Sequence, residues 1–241
     1  MARNRRGRNM IDWHSHILPE MDDGSRDVGE SVSLLEMQRK QGVDTVIATP
    51  HFYADEESVT SFLERRGEAL ERLKPQLPPD APAIRLGAEV YYYAGISRLE
   101  NLKALRIEGT ELLLLEMPMT AWTEFMVKEL AELSAKSGIV VVLAHVERYL
   151  SLQKKSLWKE LARNGVQMQV NANAFSSFSR RRKAMTLMKN GLVRFVGSDC
   201  HNVATRPPNI GNAFEIIEKR FGNDFISQLN EYGSSLLVKN N

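Results

Sequence analysis

Seven short apolar segments alternate with helical patterns along this chain of 241 residues. Each segment is mostly β-branched and has the length of one buried strand. The predicted strands are residues 10–13, 44–49, 83–89, 111–116, 139–144, 166–170 and 193–197. The predicted helices are residues 28–41, 59–74, 123–137, 154–164, 180–190, 211–221 and 224–231. This alternation is typical of a parallel sheet covered by helices, either a closed barrel or an open doubly wound sheet.

All five histidines lie at or just beyond the ends of predicted strands. They occur in the motifs DWHSH (His14 and His16), ATPH (His51), LAHVER (His145) and SDCHN (His201). Two further strands end in acids, at Glu89 and Glu116. A barrel brings all its strand ends to one face, whereas an open sheet builds its site where the strand order reverses. The sequence therefore favours an α/β fold of one domain, a (β/α)7 barrel of the TIM type.

Composition and charge limit the classes of protein that this chain can belong to. Residues 10–241 are predicted to form the single domain, since no linker divides them, and residues 1–9 form a basic tail that we expect to be disordered. The tail holds 4 of the 32 basic residues, which leaves 28 against 30 acidic ones in the domain and does not indicate nucleic-acid binding. The absence of a membrane-spanning run or a secretory signal, and the single cysteine, favour a cytoplasmic protein that is not embedded in a membrane.

The residues at the strand ends have the composition of a metal site. In a strand, the His-x-His spacing places His14 and His16 on the same face. Nine candidate ligands result: His14, His16, Asp23, His51, Glu89, Glu116, His145, Asp199 and His201. One zinc ion needs about four ligands, so nine fit two or three divalent ions, and imidazole with carboxylate suits manganese, iron or zinc. Three such ions would outweigh four carboxylates by about two charges and attract a phosphate dianion.

Two arginines follow the histidine motifs closely, Arg148 after His145 and Arg206 after His201. Both are predicted to lie on loops at the barrel mouth, where a guanidinium can bind phosphate oxygens in a bidentate manner. The alternative is a salt bridge at the rim. Asn171, at the end of the sixth predicted strand, is a candidate for orienting a water or a side chain that supports a ligand. The tyrosines 91–93 after Glu89 could flank an aromatic substrate or pack at the rim.

Residues 10–206 resemble the polymerase and histidinol phosphatase (PHP) superfamily, and within it the bacterial tyrosine phosphatases of capsular and exopolysaccharide synthesis. The resemblance rests on MIDWHSHILPEMDDGS, IATPH, LGAEVY, LLLLEMP, LAHVERY and GSDCHNVATRPP, in this order. It implies a distorted seven-stranded barrel that holds three metal ions, often manganese. It also implies a tyrosine kinase with a tyrosine-rich tail as the partner, at the inner face of the membrane.

The resemblance further implies a ligand set for each ion. His14, His16, Glu89 and Asp199 would bind the first, and Glu89, Glu116 and His145 the second. Asp23, His51 and His201 would bind the third, with Glu89 as a bridge. Arg148 and Arg206 would contact the phosphate. Two departures from the family pattern are Val146 in HVER, where HPER is usual, and Cys200 in SDCHN, where SDAHN is usual.

Cys200 and Arg206 have the Cys-x5-Arg spacing of the unrelated thiolate-dependent tyrosine phosphatases. A thiolate mechanism is not favoured, because the phosphate loop of those enzymes needs many backbone N–H groups and Pro207 and Pro208 remove two. We therefore interpret Cys200 as a small residue between two ligands. Its closeness to cations predicts a lowered pKa and sensitivity to oxidation.

The favoured hypothesis is a metal-dependent protein-tyrosine phosphatase that uses metal-activated hydroxide. A phosphatase acting on histidinol phosphate or another small phosphomonoester is the nearest alternative. An amidohydrolase also begins with His-x-His, but it usually has a modified bridging lysine and an eighth strand. A non-catalytic metal-binding module is disfavoured, because all nine ligand positions are filled.

Overall fold

The computed structural model describes residues 9–136 and 138–238. Every predicted strand and helix has its counterpart. The strands are β1 (Met10–Ser15), β2 (Val43–Ala48), β3 (His51–Phe52), β4 (Ala83–Leu86), β5 (Glu89–Tyr91), β6 (Leu112–Glu116), β7 (Val140–Leu143), β8 (Gln167–Asn171) and β9 (Phe195–Gly197). The helices are α1 (Val28–Lys40), α2 (Val59–Leu73), α3 (Glu124–Ser134), α4 (Lys155–Arg163), α5 (Phe178–Lys189), α6 (Ile210–Phe221) and α7 (Asn223–Val238). Except for Asn9, the predicted disordered tail lies outside the described residues, as does Ser137.

The nine strand segments occupy seven positions in one parallel barrel. Two of these positions hold an interrupted strand: β2 and β3 together fill one position, and β4 and β5 fill the next. The two interrupted strands stay paired on both sides of the interruption, since β2 pairs with β4 and β3 with β5. There the Gly87 amide donates to Ala48 O at 2.8 Å and the Glu89 amide to Pro50 O at 3.0 Å. The ring closes between β1 and β9, where the His16 amide donates to Cys200 O at 2.9 Å. The predicted distorted barrel of seven strand positions is confirmed.

The closure between β1 and β9 depends on a glycine. A Cβ atom on Gly197 would lie 2.4 Å from His14 Cβ and 2.9 Å from the backbone nitrogen of His14. These atoms belong to the body of β1 and cannot rotate away as the end of a long side chain can. The absence of a side chain at Gly197 therefore lets β9 approach β1 and complete the ring.

Strand β1 contains a bulge that the sequence pattern does not reveal. Its residues Asp12 and Ser15 pair with Val46 and Ala48, so three steps along β1 match two along β2. An extra residue reverses the inside and outside alternation. Trp13 consequently joins the apolar interior below the bulge, while the two histidines above it face the interior at the mouth.

The lower part of the barrel is filled by apolar side chains. Alternate residues of several strands form one cluster, with Leu237 of α7 beneath it. These strand residues are Ile11, Trp13, Ile47, Leu112, Leu114, Val142, Ala144 and Phe195. A second, larger apolar core lies between the strands and the surrounding helices. The polar ends of the strands are thus supported from below and from outside.

Helix α7 closes the amino-terminal end of the barrel. It extends to Val238, beyond the predicted end at residue 231. Its Gly233 packs so closely on β1 that an added Cβ would lie 2.9 Å from Trp13 Cζ2. Among the described helices, none has the length and apolar character needed to cross a membrane.

Candidate metal centre

Three side chains from two strands meet at the centre of the barrel mouth. His14 Nε2 lies 3.1 Å from His16 Nε2 and 3.0 Å from Glu89 Oε2. His16 Nε2 lies 3.2 Å from the same carboxylate oxygen. All three residues are buried. Asp199 extends this first group, with Oδ1 at 3.7 Å from His14 Nε2.

Glu89 also belongs to a second group on the neighbouring strands. His145 Nε2 lies 2.9 Å from Glu89 Oε1 and 3.3 Å from Glu116 Oε1. His51 Nδ1 lies 3.2 Å from Glu89 Oε2, so His51 joins this group as well. Glu89 thus contacts histidines on all sides, as the central bridging position implied by the family resemblance requires.

The third group lies nearest to solvent. Asp23, which is exposed, has Oδ1 at 3.2 Å from His201 Nε2 and 3.6 Å from His51 Nε2. Together with His16, these residues offer four ligand atoms within 4.8 Å of one another. All nine sequence-predicted ligand residues are therefore brought together in three overlapping groups. Their role as ligands stays a prediction.

The hydrogen bonding of the histidines fits the binding of cations. Three buried ring nitrogens, His51 Nδ1, His145 Nδ1 and His201 Nε2, have no hydrogen-bond partner. Two of them lie 3.2 Å from a carboxylate oxygen without the alignment of a hydrogen bond. A ring nitrogen and a carboxylate oxygen at this separation can both bind the same cation. The residues present therefore fit divalent metal ions.

Burial and charge perturb the ionisation of the cluster. Burial opposes the charged form of Glu89, but the surrounding histidines, led by His14, hold its pKa well below the ordinary value. Burial also opposes the charge of His145, yet hydrogen bonds to Glu116 and Glu89 raise its pKa to about 9. For His201, burial and the nearby charge of His16 lower the pKa to about 4. Such divergent shifts are typical of functional sites.

Asp22 orients the cluster, although the sequence pattern pointed only to its neighbour Asp23. Its Oδ2 accepts hydrogen bonds from His16 Nδ1 at 2.6 Å and from the His51 amide at 2.8 Å. Its Oδ1 accepts from the Gly24 amide at 2.9 Å. The carboxylate thereby fixes the His16 tautomer so that Nε2 points at the cluster. The two consecutive acids in MDDGS could have indicated Asp22, because one acid can bind a metal ion while the next orients a ligating histidine.

A chain of amide side chains supports the opposite side of the cluster. Gln169 Oε1 accepts from the His145 amide at 2.7 Å, and Gln169 Nε2 donates to Asn171 Oδ1 at 2.9 Å. Asn171 Nδ2 then donates to Asp199 Oδ2 at 2.6 Å. The contact of Asn171 thus falls on Asp199, itself a candidate ligand, and not on a supporting side chain. Gln169 was missed, although its alternation with Asn171 on a predicted strand places both on one face.

Both predicted arginines reach the mouth, and both bind Asp199. Arg206 donates to Asp199 Oδ1 at 2.8 Å, and Arg148 donates to Asp199 Oδ2. Each guanidinium is about one-third exposed. Asp199 has φ of 53° and His145 has φ of 33°, values that are costly for residues with a side chain and that concentrate at functional sites.

Cys200 points away from the cluster. Its side chain is fully buried in the outer core, and Gln38 Nε2 of α1 lies 3.6 Å from Sγ. Burial raises the pKa of the thiol, and the charge of Asp12 raises it further. The expectation of a lowered pKa and easy oxidation is therefore wrong, because adjacent residues of a strand face opposite sides of the sheet. The interpretation of Cys200 as a small residue between Asp199 and His201 agrees with this geometry.

Comparisons with known proteins place the chain in a family. The family model "Capsular polysaccharide synthesis, CpsB/CapC" matches residues 10–239. Tyrosine-protein phosphatase CpsB of Streptococcus agalactiae serotype III (strain NEM316) is 33% identical, over 96% of this chain and 99% of the relative. Tyrosine-protein phosphatase YwqE of Bacillus subtilis (strain 168) is 32% identical, over 96% of this chain and 92% of the relative.

Solved structures agree with this placement. One reported under "Crystal structures of YwqE from Bacillus subtilis and CpsB from Streptococcus pneumoniae, unique metal-dependent tyrosine phosphatases" superimposes with a TM-score of 0.82 at 27% identity, over 96% of both chains. Histidinol phosphate phosphatase from Lactococcus lactis shares the fold alone, with a TM-score of 0.56 at 11% identity over 88% of this chain and 94% of that one. The predicted resemblance to the bacterial tyrosine phosphatases of capsular synthesis is confirmed, and the chain belongs to the CpsB/CapC family.

Proposed function

We propose that this protein is a metal-dependent protein-tyrosine phosphatase that acts in capsular or exopolysaccharide synthesis. The observation that carries the proposal is the convergence of nine candidate ligands and two arginines at one mouth of the barrel. The curated relatives are named tyrosine-protein phosphatases, which supports the same activity here.

The candidate ligands would hold two or three divalent ions, with manganese as the expected metal and iron or zinc as alternatives. His14, His16, Glu89 and Asp199 would surround one ion, and Glu89, Glu116 and His145 another. Asp23, His51 and His201 would hold the third. When bound, such ions supply an activated water and neutralise charge on the phosphoryl oxygens.

The arginines would bind the substrate's phosphate. Arg148 and Arg206 hold their guanidinium groups on opposite oxygens of Asp199, and each keeps part of its surface exposed. A phosphate placed over Asp199 could accept hydrogen bonds from both, which would orient it and stabilise the charge that develops in the transition state. Asp199 therefore positions both arginines before substrate binds.

Exposed apolar side chains on the segments that follow the strands would suit a polypeptide substrate better than a small phosphomonoester. Four exposed large apolar side chains lie on the segments that follow β6, β7, β8 and β9. They are Met119, Leu152, Phe178 and Val203. Side chains on these segments could contact residues on either side of a phosphotyrosine. The proposed partner is a tyrosine kinase with a tyrosine-rich tail, which would bring this cytoplasmic phosphatase to the inner face of the membrane.

Assays of the purified protein with a phosphotyrosyl peptide and with histidinol phosphate test the proposal. Activity on the peptide should vanish after exhaustive chelation and return with added Mn²⁺. Arg148→Ala should lower kcat/KM by about 10²–10³, whereas Arg163→Ala, an exposed arginine in the last turn of α4, should not. Full peptide hydrolysis after chelation would overturn the metal mechanism. A preference for histidinol phosphate would favour the small-substrate alternative.

A further inference from the structure

Two tyrosines lie directly above the candidate ligands on neighbouring strands. Tyr53 comes two residues after His51, and Tyr91 comes two residues after Glu89. His51 and Glu89 pair side by side in the β3–β5 ladder. Since residues two apart point to the same side of an extended chain, the tyrosines lie one level beyond His51 and Glu89 towards solvent, where Tyr91 is paired with Glu116 of β6. The two rings have centroids 5.6 Å apart, and the Tyr53 ring lies 5.5 Å from the ring of His51.

Tyr53 and Tyr91 differ in their surroundings from Tyr92 and Tyr93, the two tyrosines that follow Tyr91 in the sequence. Tyr92 is buried and donates its hydroxyl to Glu129 of α3 at 2.7 Å, and Tyr93 packs against the outer core. Tyr53 and Tyr91 are half-exposed and belong to neither apolar core. Within the described part of the chain, neither of their hydroxyls forms a hydrogen bond with another residue. Core packing therefore does not account for their position.

We propose that Tyr53 and Tyr91, the aromatic pair, bind the phenyl ring of phosphotyrosine and give the site its preference for aryl over alkyl phosphomonoesters. This proposal rests on the proposed phosphatase function. In phosphotyrosine a single oxygen joins the phosphorus to the ring, so a phosphate held over His51 and Glu89 places the ring one level further towards solvent. The aromatic pair stands at that level. Aromatic rings prefer offset or edge contacts at the separations seen here, and an alkyl phosphate has no such face to offer.

Three variants of the metal-loaded protein test the proposal: Tyr53→Leu, Tyr91→Leu and the double variant. Leucine keeps apolar bulk but removes the aromatic face. The substrates are a phosphotyrosyl peptide and a phosphoseryl peptide of otherwise identical sequence. We expect kcat/KM for the phosphotyrosyl peptide to fall about threefold in each single variant and about tenfold in the double variant. Hydrolysis of the phosphoseryl peptide should stay unchanged, and Tyr93→Leu should leave both substrates unaffected.

A binding measurement makes the test independent of turnover. Calorimetric titration with a peptide that carries a non-hydrolysable phosphonate analogue of phosphotyrosine should show the same loss of affinity, whereas inorganic phosphate should bind all variants equally. Equal losses for both peptides and for phosphate, or no loss for the phosphotyrosine analogue, would overturn the role of the aromatic pair. Failure of the proposed phosphatase function would look different, because the unmodified, metal-loaded protein would then hydrolyse no phosphotyrosyl peptide.

Discussion

His16 donates its Nδ1–H group to Asp22 Oδ2 over 2.6 Å, which leaves Nε2 free to face Glu89. Burial opposes the charge of this imidazole, yet the carboxylate of Asp22 raises its pKa well above the ordinary value. The same Asp22 oxygen accepts the His51 amide, so one carboxylate sets the position of two candidate ligands on different strands.

Loss of this carboxylate should weaken metal binding without removing a ligand. We expect Asp22→Ala to lower the affinity for Mn²⁺ by about 10–100-fold, the usual effect of removing a carboxylate that orients a ligating histidine. Calorimetric titration of metal-free protein measures the change. Asp55→Ala, an exposed aspartate on the loop after β3, is the matched control. Unchanged affinity in Asp22→Ala would show that backbone packing alone orients His16.

The periodic elements and the nine clustered residues could be predicted because each depends on local sequence. Apolar runs indicate the strands, and a histidine or an acid at the end of a strand can be recognised without information on residues that are distant in sequence. The bulge in β1 could not be predicted, because it is an adjustment between two strands that are distant in sequence. The same holds for the contact of Gln169 with the His145 amide, because Gln169 lies in β8 and His145 follows β7, and the two become neighbours only in the folded barrel. The lowered pKa expected for Cys200 is wrong because its side chain packs in the outer core, although Asp199 and His201 on either side of it face the cluster.

The closure of the barrel predicts a pair of glycine variants with opposite effects. Gly197→Ala should destabilise the protein by about 3 kcal/mol or prevent folding, because the new Cβ would collide with the body of β1. Gly67→Ala, within α2, should stabilise it by about 0.5–1 kcal/mol, since nothing lies within 4 Å of its added Cβ. Urea unfolding followed by circular dichroism measures both. A wild-type unfolding midpoint for Gly197→Ala would contradict the close approach of β9 to β1.

Replacement of Cys200 tests whether its thiol acts as a nucleophile in catalysis. We expect Cys200→Ser to keep kcat/KM within about threefold of the wild type, because the thiol lies outside the cluster and a nucleophilic role would cost orders of magnitude. Its free energy of unfolding should fall by about 1–3 kcal/mol, the cost of burying a hydroxyl. The native thiol should also resist alkylation until the protein is unfolded by urea. Loss of activity in a correctly folded Cys200→Ser variant would restore the thiolate mechanism.

Metal binding should release protons. In the metal-free protein the pKa of His145 is raised to about 9 by Glu116 and Glu89, against the opposing effect of burial, so this imidazole carries a proton at neutral pH. A metal ion can bind only the neutral ring and must displace that proton. The apparent affinity for Mn²⁺ should therefore rise with pH and level off only once the pH exceeds the raised pKa values of both His145 and His16. Calorimetric titrations in two buffers of different ionisation enthalpy count the protons released, and His145→Gln should release fewer. Proton uptake, or an affinity that does not depend on pH, would show that these carboxylates do not hold a proton on His145 in competition with the metal.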